Sequence, residues 1–499
     1  MDQFKILMIS IFNSEALGTR QLFSALKSKG YDPELLFFKV DSLLDRTYEK
    51  DQQAAFTDRM IRVSDDEIRL LVEYIKTSKP DIISFSLVSP YFNLYKRLYP
   101  FIRQAGDFKI VIGGWQATLN PEETIQYADI VCVGEGDAVF PELVDAVRDG
   151  LSINDIQNLW INSNGKVIRN PVRPLQKDLD QLPDVVFDNS STCYIENNEI
   201  VNVDPYSKNI RYGVMAGRGC PFHCTYCSNS YMAETVYPSE WTKARYRSPH
   251  NVIRELVEVK RTFPDIQRVN FYDEVFHPKM DWINTFFPAY KELIGLPFYV
   301  MFYPGTCKED TLAILKDAGL SGVWLGVQSG SERVRSEIFK RRYSNKTILD
   351  QAALFKKYGV SVRYDFILDN PFESFEESLE SIYLLLDFPE PFSLNLFSLK
   401  YFPKTTITEM ALTAGHITND MLDDQKACDQ HNYQIALGKD NSQRAFINML
   451  AMYVALLANK GWVGLNKANI LYLIAKYQQD QDIQPIKELT TPLFSDVLA

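Results

Sequence analysis

The sequence predicts an α/β protein with two parallel-sheet units followed by a mainly helical region. Two series of short apolar segments alternate with amphipathic stretches, a pattern typical of βα units. The predicted boundaries are 1–150 for the first unit, 151–205 for a connecting segment, 206–405 for the second unit and 406–499 for the helical region. With 499 residues, of which 46% are hydrophobic, the chain can bury more than one core.

The first series predicts a Rossmann-like, or flavodoxin-like, sheet. We predict strands at 4–12, 34–40, 81–87, 108–114 and 129–136, and helices at about 18–30, 65–78, 91–105 and 137–149. In such a sheet, ligands bind beyond the carboxyl ends of the strands, where the strand order reverses. The connecting segment then carries scattered prolines, and its stretch INSNGKVI predicts a hairpin.

The second series predicts an open, partial (β/α)6 barrel. Its six strands are expected at about 211–216, 267–272, 298–303, 322–327, 361–368 and 393–399, with amphipathic helices such as HNVIRELVEVKRTF between them. The carboxyl-terminal face of a barrel of this kind carries the chemistry. In the C-terminal region, the apolar run at 446–458 is too short to cross a bilayer, and packing into a core is the expectation.

Charge and targeting signals narrow the class of protein. The formal net charge of -11 gives no basic footprint for nucleic acid. The small basic clusters KARYR (243–247) and FKRRY (339–343) are expected on a solvated face or at a helix end. No secretory signal and no run of about 18 apolar residues is seen, so no membrane span is expected and we expect a cytoplasmic protein.

Three of the seven cysteines lie within eight residues. Cys220, Cys224 and Cys227 form RGCPFHCTYC directly after the first strand of the second series, whereas Cys132, Cys193, Cys307 and Cys428 are scattered. Three thiolates can bind three irons of a cubane cluster and leave the fourth iron open to a ligand. The alternative is a zinc site that includes His223, but His223 directly precedes Cys224 and no second ligand pair follows at finger spacing.

This motif, placed before six βα units, resembles the radical S-adenosylmethionine (radical SAM) enzymes over about 206–400. The resemblance implies a 4Fe-4S cluster on the three cysteines, S-adenosylmethionine on the open iron, and its reductive cleavage to a 5'-deoxyadenosyl radical. It also implies cofactor contacts by Tyr226 near adenine, by Asp273 and Glu274 near the methionyl amine, and by Gln328 and Ser329 near ribose and carboxylate. Alternatively, Tyr226 covers the cluster, and the acids and serines cap helices.

Arg363 and Asp365 alternate with apolar residues on the predicted fifth strand of the barrel, so their side chains are expected to lie on the same face of that strand. If that face lines the lumen, they could bind substrate or the carboxylate of S-adenosylmethionine. If they pair with each other, their role is structural.

The loops of the first unit resemble those of a cobalamin-binding domain. The corresponding positions are Ser84, Ser86, Gly113, Gly114, Trp115, Gln116, Gly134, Glu135 and Gly136, of which Gln116 departs from the pattern because relatives often have His after the double glycine. Glycines permit the backbone to approach a bulky ligand closely. All five histidines lie beyond residue 200, so the DxHxxG histidine that ligates cobalt elsewhere is missing and the resemblance implies an open or water-bound lower face. The alternative is a plain flavodoxin-like scaffold that binds flavin, nucleotide or nothing.

Together, the two resemblances imply a cobalamin-dependent radical SAM enzyme that methylates an unactivated carbon through methylcobalamin. Expected partners are an electron donor such as flavodoxin or ferredoxin and an unknown substrate, which could be a small molecule, a lipid or a peptide. One alternative is ring closure or rearrangement, as in the anaerobic magnesium-protoporphyrin monomethyl ester cyclases. Another is a non-catalytic cobalamin or iron-sulfur module.

Overall fold

Two sheets organise the chain, and the predicted α/β fold class is confirmed. The structure is a computed structural model that describes residues 4–40, 63–163, 165–426 and 442–490. Cys428 and His431 lie outside the described residues.

The first sheet contains nine strands within the described ranges. They are β1 Ile6–Ile11, β2 Glu34–Phe38, β3 Ile82–Ser86, β4 Lys109–Gly113, β5 Ile130–Cys132, β6 Leu159–Ser163, β7 Lys166–Arg169, β8 Thr192–Glu196 and β9 Glu199–Val201, in the spatial order β7-β6-β5-β4-β3-β1-β2-β8-β9. The strands β5-β4-β3-β1-β2 are parallel. This is the flavodoxin-like order, in which the chain reverses direction of progress between β1 and β3.

Apolar strands covered by helices on both faces explain this sheet. All six residues of β1 are buried, as expected of a parallel strand covered on both faces. The helices of this unit are Leu17–Ser28, Asp65–Ser78, Phe92–Arg103, Trp115–Leu119, Pro121–Thr124 and Val139–Arg148. Helix Asp65–Ser78 begins at a capping box in which Ser64 and Glu67 satisfy each other's backbone N–H groups.

The connecting segment extends the first sheet at both edges. β6 and β7 form an antiparallel hairpin that pairs with β5, and this hairpin contains the INSNGKVI stretch. β8 pairs in parallel with β2, and β9 pairs antiparallel with β8. The segment therefore adds four strands to the first sheet before the chain enters the second.

The second sheet is an open half-barrel of six parallel strands. Its strands are β10 Arg211–Val214, β13 Arg268–Phe271, β14 Phe298–Phe302, β15 Leu320–Gln328, β16 Ser361–Leu368 and β17 Ser393–Ser398, in that spatial order. The helices Pro249–Thr262, Met280–Leu293, Glu309–Asp317, Asn345–Lys357 and Phe375–Leu385 lie between these strands along the chain. A small antiparallel ribbon of β11 Gly217–Arg218 and β12 Arg245–Tyr246 lies beyond the end of β10.

Five helices follow the half-barrel in the described ranges: Thr406–Thr413, Asn419–Lys426, Gln443–Lys460, Val463–Asp480 and Gln484–Thr490. Helix Gln443–Lys460 contains the apolar run at 446–458 and is buried along most of its length. The rings of Phe446 and Tyr477 stack at 4.0 Å and join two of these helices. Within the described residues, no helix combines the length and apolar character needed to cross a bilayer.

Candidate active site

The three clustered cysteines lie in a folded loop at the mouth of the half-barrel. Gly219 opens the loop with φ +100°, and a Cβ there would lie 2.5 Å from the carbonyl oxygen of Trp241. The backbone N–H of Cys227 donates to the carbonyl of Cys224 at 3.0 Å. The Ser230 hydroxyl contacts the same carbonyl at 3.1 Å and that of Cys227 at 2.6 Å. These bonds fix the loop that carries the sulfurs.

The donor set of this loop fits an iron-sulfur cluster. Burial raises the pKa of the Cys220 thiol to about 12 and that of the Cys227 thiol to about 11, so bound metal must displace their protons. N–H groups nevertheless point at two sulfurs: Asn229 Nδ2 lies 3.7 Å from Cys227 Sγ, and Arg341 Nη1 lies 3.4 Å from Cys224 Sγ. Such donors stabilise metal-bound thiolates.

The zinc alternative is less well supported by the loop. His223 is half exposed, and its Nδ1 lies 3.1 Å from Glu234 Oε1 in a surface pair. Among the described residues, no three His, Cys, Asp or Glu side chains converge on one point where a single ion could bind them together. Three sulfurs that bind three separate irons of a cluster need no such common point.

The FKRRY cluster follows the end of the helical turn Val334–Ile338, as one of the two expectations had it, but Arg341 is buried beside the cysteine loop and does not lie on a solvated face. Arg341 is 6% exposed, and its Nη1 donates to the Tyr226 hydroxyl at 3.1 Å. The Tyr226 ring packs edge-on against Phe339 at 5.0 Å. The groups that bury Arg341 come from distant parts of the sequence, which local composition cannot show.

The two acids at the end of β13 have different surroundings. Asp273 accepts the backbone N–H groups of Ala216 at 3.3 Å and Gly217 at 2.6 Å, and thus ties β13 to the ribbon. Burial raises the pKa of Asp273 to about 7. Burial also raises the pKa of Glu274 to about 7, and its buried Oε2 has no hydrogen-bond partner among the described residues. Of the two, Glu274 has an oxygen available for a ligand.

Gln328 and Ser329 lie at the end of β15. Gln328 has φ +76°, an uncommon conformation for a non-glycine residue. The Ser329 hydroxyl donates to Glu373 Oε1 at 2.6 Å and accepts the backbone N–H of Ser331 at 3.0 Å. Burial raises the pKa of Glu373 to about 7. The Ser329 hydroxyl thus makes both of these hydrogen bonds within the protein, and the bond to Glu373 joins it to the loop after β16.

Arg363 and Asp365 lie on the face of β16 opposite Tyr364 and Phe366, which belong to the core beneath the helices. The Arg363 guanidinium lies 5.2 Å from the centre of the Trp324 ring. Burial raises the pKa of Asp365 to about 6, although the positive charge of Arg363 opposes the shift. The two side chains therefore influence each other electrostatically on the lumen face.

A cavity of about 490 Å³ lies between the carboxyl edge of the first sheet and the half-barrel. It lies at the carboxyl ends of β1 and β3, where the strand order reverses, since Ser10, Asn13 and Ser86 line it. Of the nine predicted loop residues of the first unit, eight line it: Ser84, Ser86, Gly113, Gly114, Trp115, Gly134, Glu135 and Gly136. The half-barrel side contributes Met215, Arg218, Met232, Trp241 and Glu274.

Gln116 is not among the lining residues. Its side chain is fully buried, and its Nε2 lies 3.5 Å from Thr124 Oγ1.

Two glycines that line the cavity, Gly114 and Gly134, have positive φ and no space for a side chain. A Cβ on Gly114 would lie 2.8 Å from the carbonyl oxygen of Leu87, and one on Gly134 would lie 2.3 Å from the Tyr237 hydroxyl.

Several ion pairs join the two units beside this cavity, and sequence reasoning missed the two with the shortest contacts. Arg218 binds Asp137 through two N–H groups at 2.7 and 3.0 Å. Arg245 binds Glu135 through two contacts, at 2.6 Å from Nη2 and 3.1 Å from Nη1. The expectation of a solvated face for the KARYR cluster is wrong at Arg245, whose side chain is 10% exposed. The carboxylate of Glu135 thus binds protein groups. These pairs were not predicted because each acid lies more than 80 residues from its arginine in the sequence.

Comparison with known families agrees with this arrangement. The Radical SAM superfamily matches residues 214–384, and the B12 binding domain matches residues 12–144. A B12-binding domain followed by a radical SAM domain defines the cobalamin-dependent radical SAM enzymes. The chain contains both domains in this order, and the two domains imply a 4Fe-4S cluster, S-adenosylmethionine and cobalamin as cofactors.

Two individual relatives are 30% and 23% identical to this chain over the aligned residues. An uncharacterized methyltransferase, PH0819, from Pyrococcus horikoshii is 30% identical over 274 residues, which is 54% of this chain and 55% of that protein. The cytidylyl-2-hydroxyethylphosphonate methyltransferase of Streptomyces wedmorensis is 23% identical over 456 residues, or 84% of this chain and 80% of that protein. The chain thus spans about half the length of the first relative and four fifths of the second.

A solved structure shares the fold. The radical S-adenosylmethionine methyltransferase TsrM from Kitasatospora setae, with cobalamin and a [4Fe-4S] cluster bound, superimposes with a TM-score of 0.61. The identity is 16%, and the alignment covers 83% of this chain and 76% of TsrM.

Proposed function

We propose that this enzyme transfers a methyl group to an unactivated carbon of its substrate. The observation that carries the proposal is the shared wall between the cysteine loop and the cavity. Arg218 lies two residues before Cys220 and lines the cavity, and Trp241, which lines the cavity, donates from its indole N–H to Asn229. A ligand in the cavity would therefore face the cluster loop across a single layer of side chains.

Each cofactor has a proposed set of protein contacts. Cys220, Cys224 and Cys227 hold the cluster. The glycines and serines of the first sheet, with Trp115, hold cobalamin. Glu274 receives the amino group of S-adenosylmethionine on its unpaired oxygen, and Tyr226, Gln328 and Arg363 surround the rest of that cofactor. Ser329, whose hydroxyl is bonded to Glu373 and Ser331, orders the loop beside the cofactor. When bound, the cluster supplies an electron to S-adenosylmethionine and cobalamin supplies the methyl group.

The protein's own contribution is orientation and exclusion of water. The aromatic side chains of Trp115, Tyr237 and Trp241 belong to one apolar cluster at the edge of the cavity, with Leu175 and Met232. Closing a reactive site with apolar groups protects it from side reactions with solvent. The walls contributed by the first unit present serine, asparagine and carboxylate groups to the cavity, and its sequence has no histidine.

The reaction type is supported by both relatives, because each bears the name methyltransferase. We place the enzyme in the cytoplasm with a one-electron donor of the flavodoxin or ferredoxin kind. Support for this compartment comes from the six cysteines in the described ranges, which are all free thiols. The substrate could be a small molecule, a lipid or a peptide.

The proposal is tested by reconstituting the protein under nitrogen with iron, sulfide and hydroxocobalamin. We expect iron-sulfur and corrin absorbance together, and 5'-deoxyadenosine when dithionite and S-adenosylmethionine are added. With S-adenosylmethionine carrying a trideuterated methyl group, candidate substrates should gain that methyl group in the mass spectrum. A product changed without added carbon would instead indicate ring closure or rearrangement, and failure to form any 5'-deoxyadenosine would contradict the proposal.

A further inference from the structure

Arg341 is a buried cation whose hydrogen-bond partners, within the described part of the chain, include no carboxylate, although Asp365 interacts with it electrostatically. It lies between two exposed basic residues, Lys340 and Arg342, yet only 6% of it is exposed. Its guanidinium donates to the carbonyl oxygen of Gly326 at 2.6 Å and to the Tyr343 hydroxyl at 2.9 Å. Among the described residues, no ion pair involves Arg341.

A buried charge is costly unless an opposite charge or several hydrogen bonds compensate for it. The ring of Tyr303 lies 4.2 Å from the Arg341 guanidinium carbon and supplies part of the compensation. Among the groups to which Arg341 donates, the one that a metal would make anionic is the sulfur of Cys224, 3.4 Å from Nη1. Conversion of this thiol to a metal-bound thiolate would therefore place an opposite charge in direct contact with the Arg341 guanidinium.

Arg341 also connects the cysteine loop to the barrel. The same Nη1 reaches the Tyr226 hydroxyl, and Nη2 reaches Gly326 on β15. The neighbouring backbone supports this contact, since Thr225 donates from Oγ1 to the carbonyl of Ile338 at 2.6 Å and from its N–H to that of Phe339 at 3.3 Å. One planar guanidinium thus holds a cluster ligand, the aromatic residue between two cysteines, and a strand end.

We infer that Arg341 is a positioning residue that orients Cys224 and raises the reduction potential of the cluster. A reduced cluster carries one more negative charge than an oxidised one. A fixed positive charge and an N–H donor beside a ligand sulfur therefore favour the reduced state. This inference rests on the proposed function, because it requires a cluster on Cys220, Cys224 and Cys227.

The test compares clusters reconstituted under nitrogen in the wild type, Arg341→Gln, Arg341→Lys and, as matched control, Arg342→Gln. The measurement is a redox titration monitored by electron paramagnetic resonance. At the wild-type midpoint, we expect the ratio of reduced to oxidised cluster to fall about tenfold in Arg341→Gln, in line with the effect of removing outer-shell partners of a metal site. Arg342→Gln should match the wild type, because that side chain is exposed.

Arg341→Lys separates charge from geometry. Lysine retains the charge but lacks the planar fork, so the cluster midpoint should stay near that of the wild type while a chelator removes iron faster. If Arg341→Gln takes up no cluster, its midpoint cannot be measured, and the comparison of Arg341→Lys with the wild type then tests the inference. A lysine variant with wild-type iron loss, or a loaded glutamine variant with the wild-type midpoint, would overturn the inference. If the wild type itself binds no cluster, the proposed function fails first.

Discussion

At the scale of single residues, Cys224 has a more connected position than the scattered cysteines. Its sulfur is contacted by Arg341, and its carbonyl accepts two hydrogen bonds within the loop. Replacing Cys224 by alanine removes one of the three proposed sulfur ligands. We expect Cys224→Ala to lose both the iron-sulfur absorbance and the formation of 5'-deoxyadenosine, measured after anaerobic reconstitution. Cys307→Ala is the control, since Cys307 is also buried but belongs to the core of the half-barrel and not to the cysteine loop, and it should retain both.

The Glu373 carboxyl gives a second prediction at this scale. Burial raises its pKa from 4.5 to about 7, so the folded protein holds this proton more tightly than the unfolded chain does. The resulting stability is fully present below the unfolded pKa and is lost as the pH rises to about 7. Glu373→Gln keeps an acceptor for Ser329 and removes the titration. It should raise the free energy of unfolding by roughly 2 to 3 kcal/mol more at pH 8 than at pH 4.5.

Urea unfolding at the two pH values measures this difference. Glu376→Gln is the matched control, because Glu376 is exposed at the start of the following helix. A gain for Glu373→Gln that is equal at both pH values would mean that the carboxyl ionises as readily in the folded protein as in the unfolded one.

At the scale of elements, the loop after β5 depends on Gly134. Gly134 has φ +83°, and a Cβ there would displace the Tyr237 hydroxyl, which accepts the backbone N–H of Glu135 at 2.9 Å. We expect Gly134→Ala to weaken hydroxocobalamin binding about tenfold, on top of a backbone cost of about 1 kcal/mol. Gly30→Ala is the control, since Gly30 has φ +84° with open space around it. It should show the backbone cost alone, with unchanged affinity in an equilibrium binding titration.

The helices and strands show which parts of the fold could be predicted from the sequence. Strands buried on both faces produce apolar runs, and for this reason the predicted strands coincide with β1–β5 and with the six strands of the half-barrel to within a few residues. The edge strands β6–β9 were not predicted to join the first sheet. β8 depends on pairing with β2, more than 150 residues earlier, and β9 depends in turn on β8. The burial of Arg341 and Arg245 was missed for a related reason. Their partners, Cys224 and Glu135, are identified only by the fold.

At the scale of the whole molecule, the cavity requires both units in one fixed arrangement. The first sheet contributes one wall and the half-barrel the other, and the Arg218–Asp137 and Arg245–Glu135 pairs cross between them. The side chains of these pairs are 10% to 20% exposed, so solvent screens them weakly. Removing one partner of a buried pair leaves an unpaired charge, which destabilises more than removing both. We therefore expect the two members of such a pair to contribute non-additively to the free energy of unfolding.

This coupling is measurable in a double-mutant cycle of Glu135→Gln and Arg245→Met. Each single variant should lower the free energy of unfolding by about 3 kcal/mol, and the double variant should lose less than either single variant, so that the coupling energy is about 3 kcal/mol or more. The control cycle uses the exposed pair Arg254–Asp184, which has the same chemistry and a 2.6 Å contact but side chains 48% and 45% exposed. Its coupling should stay below about 1 kcal/mol. Equal coupling in both cycles would contradict the view that the buried pair holds the two walls of the cavity together. The single variants at Glu135 and Arg245 should also bind hydroxocobalamin more weakly than the exposed-pair variants, because only the former loosen a wall of the cavity.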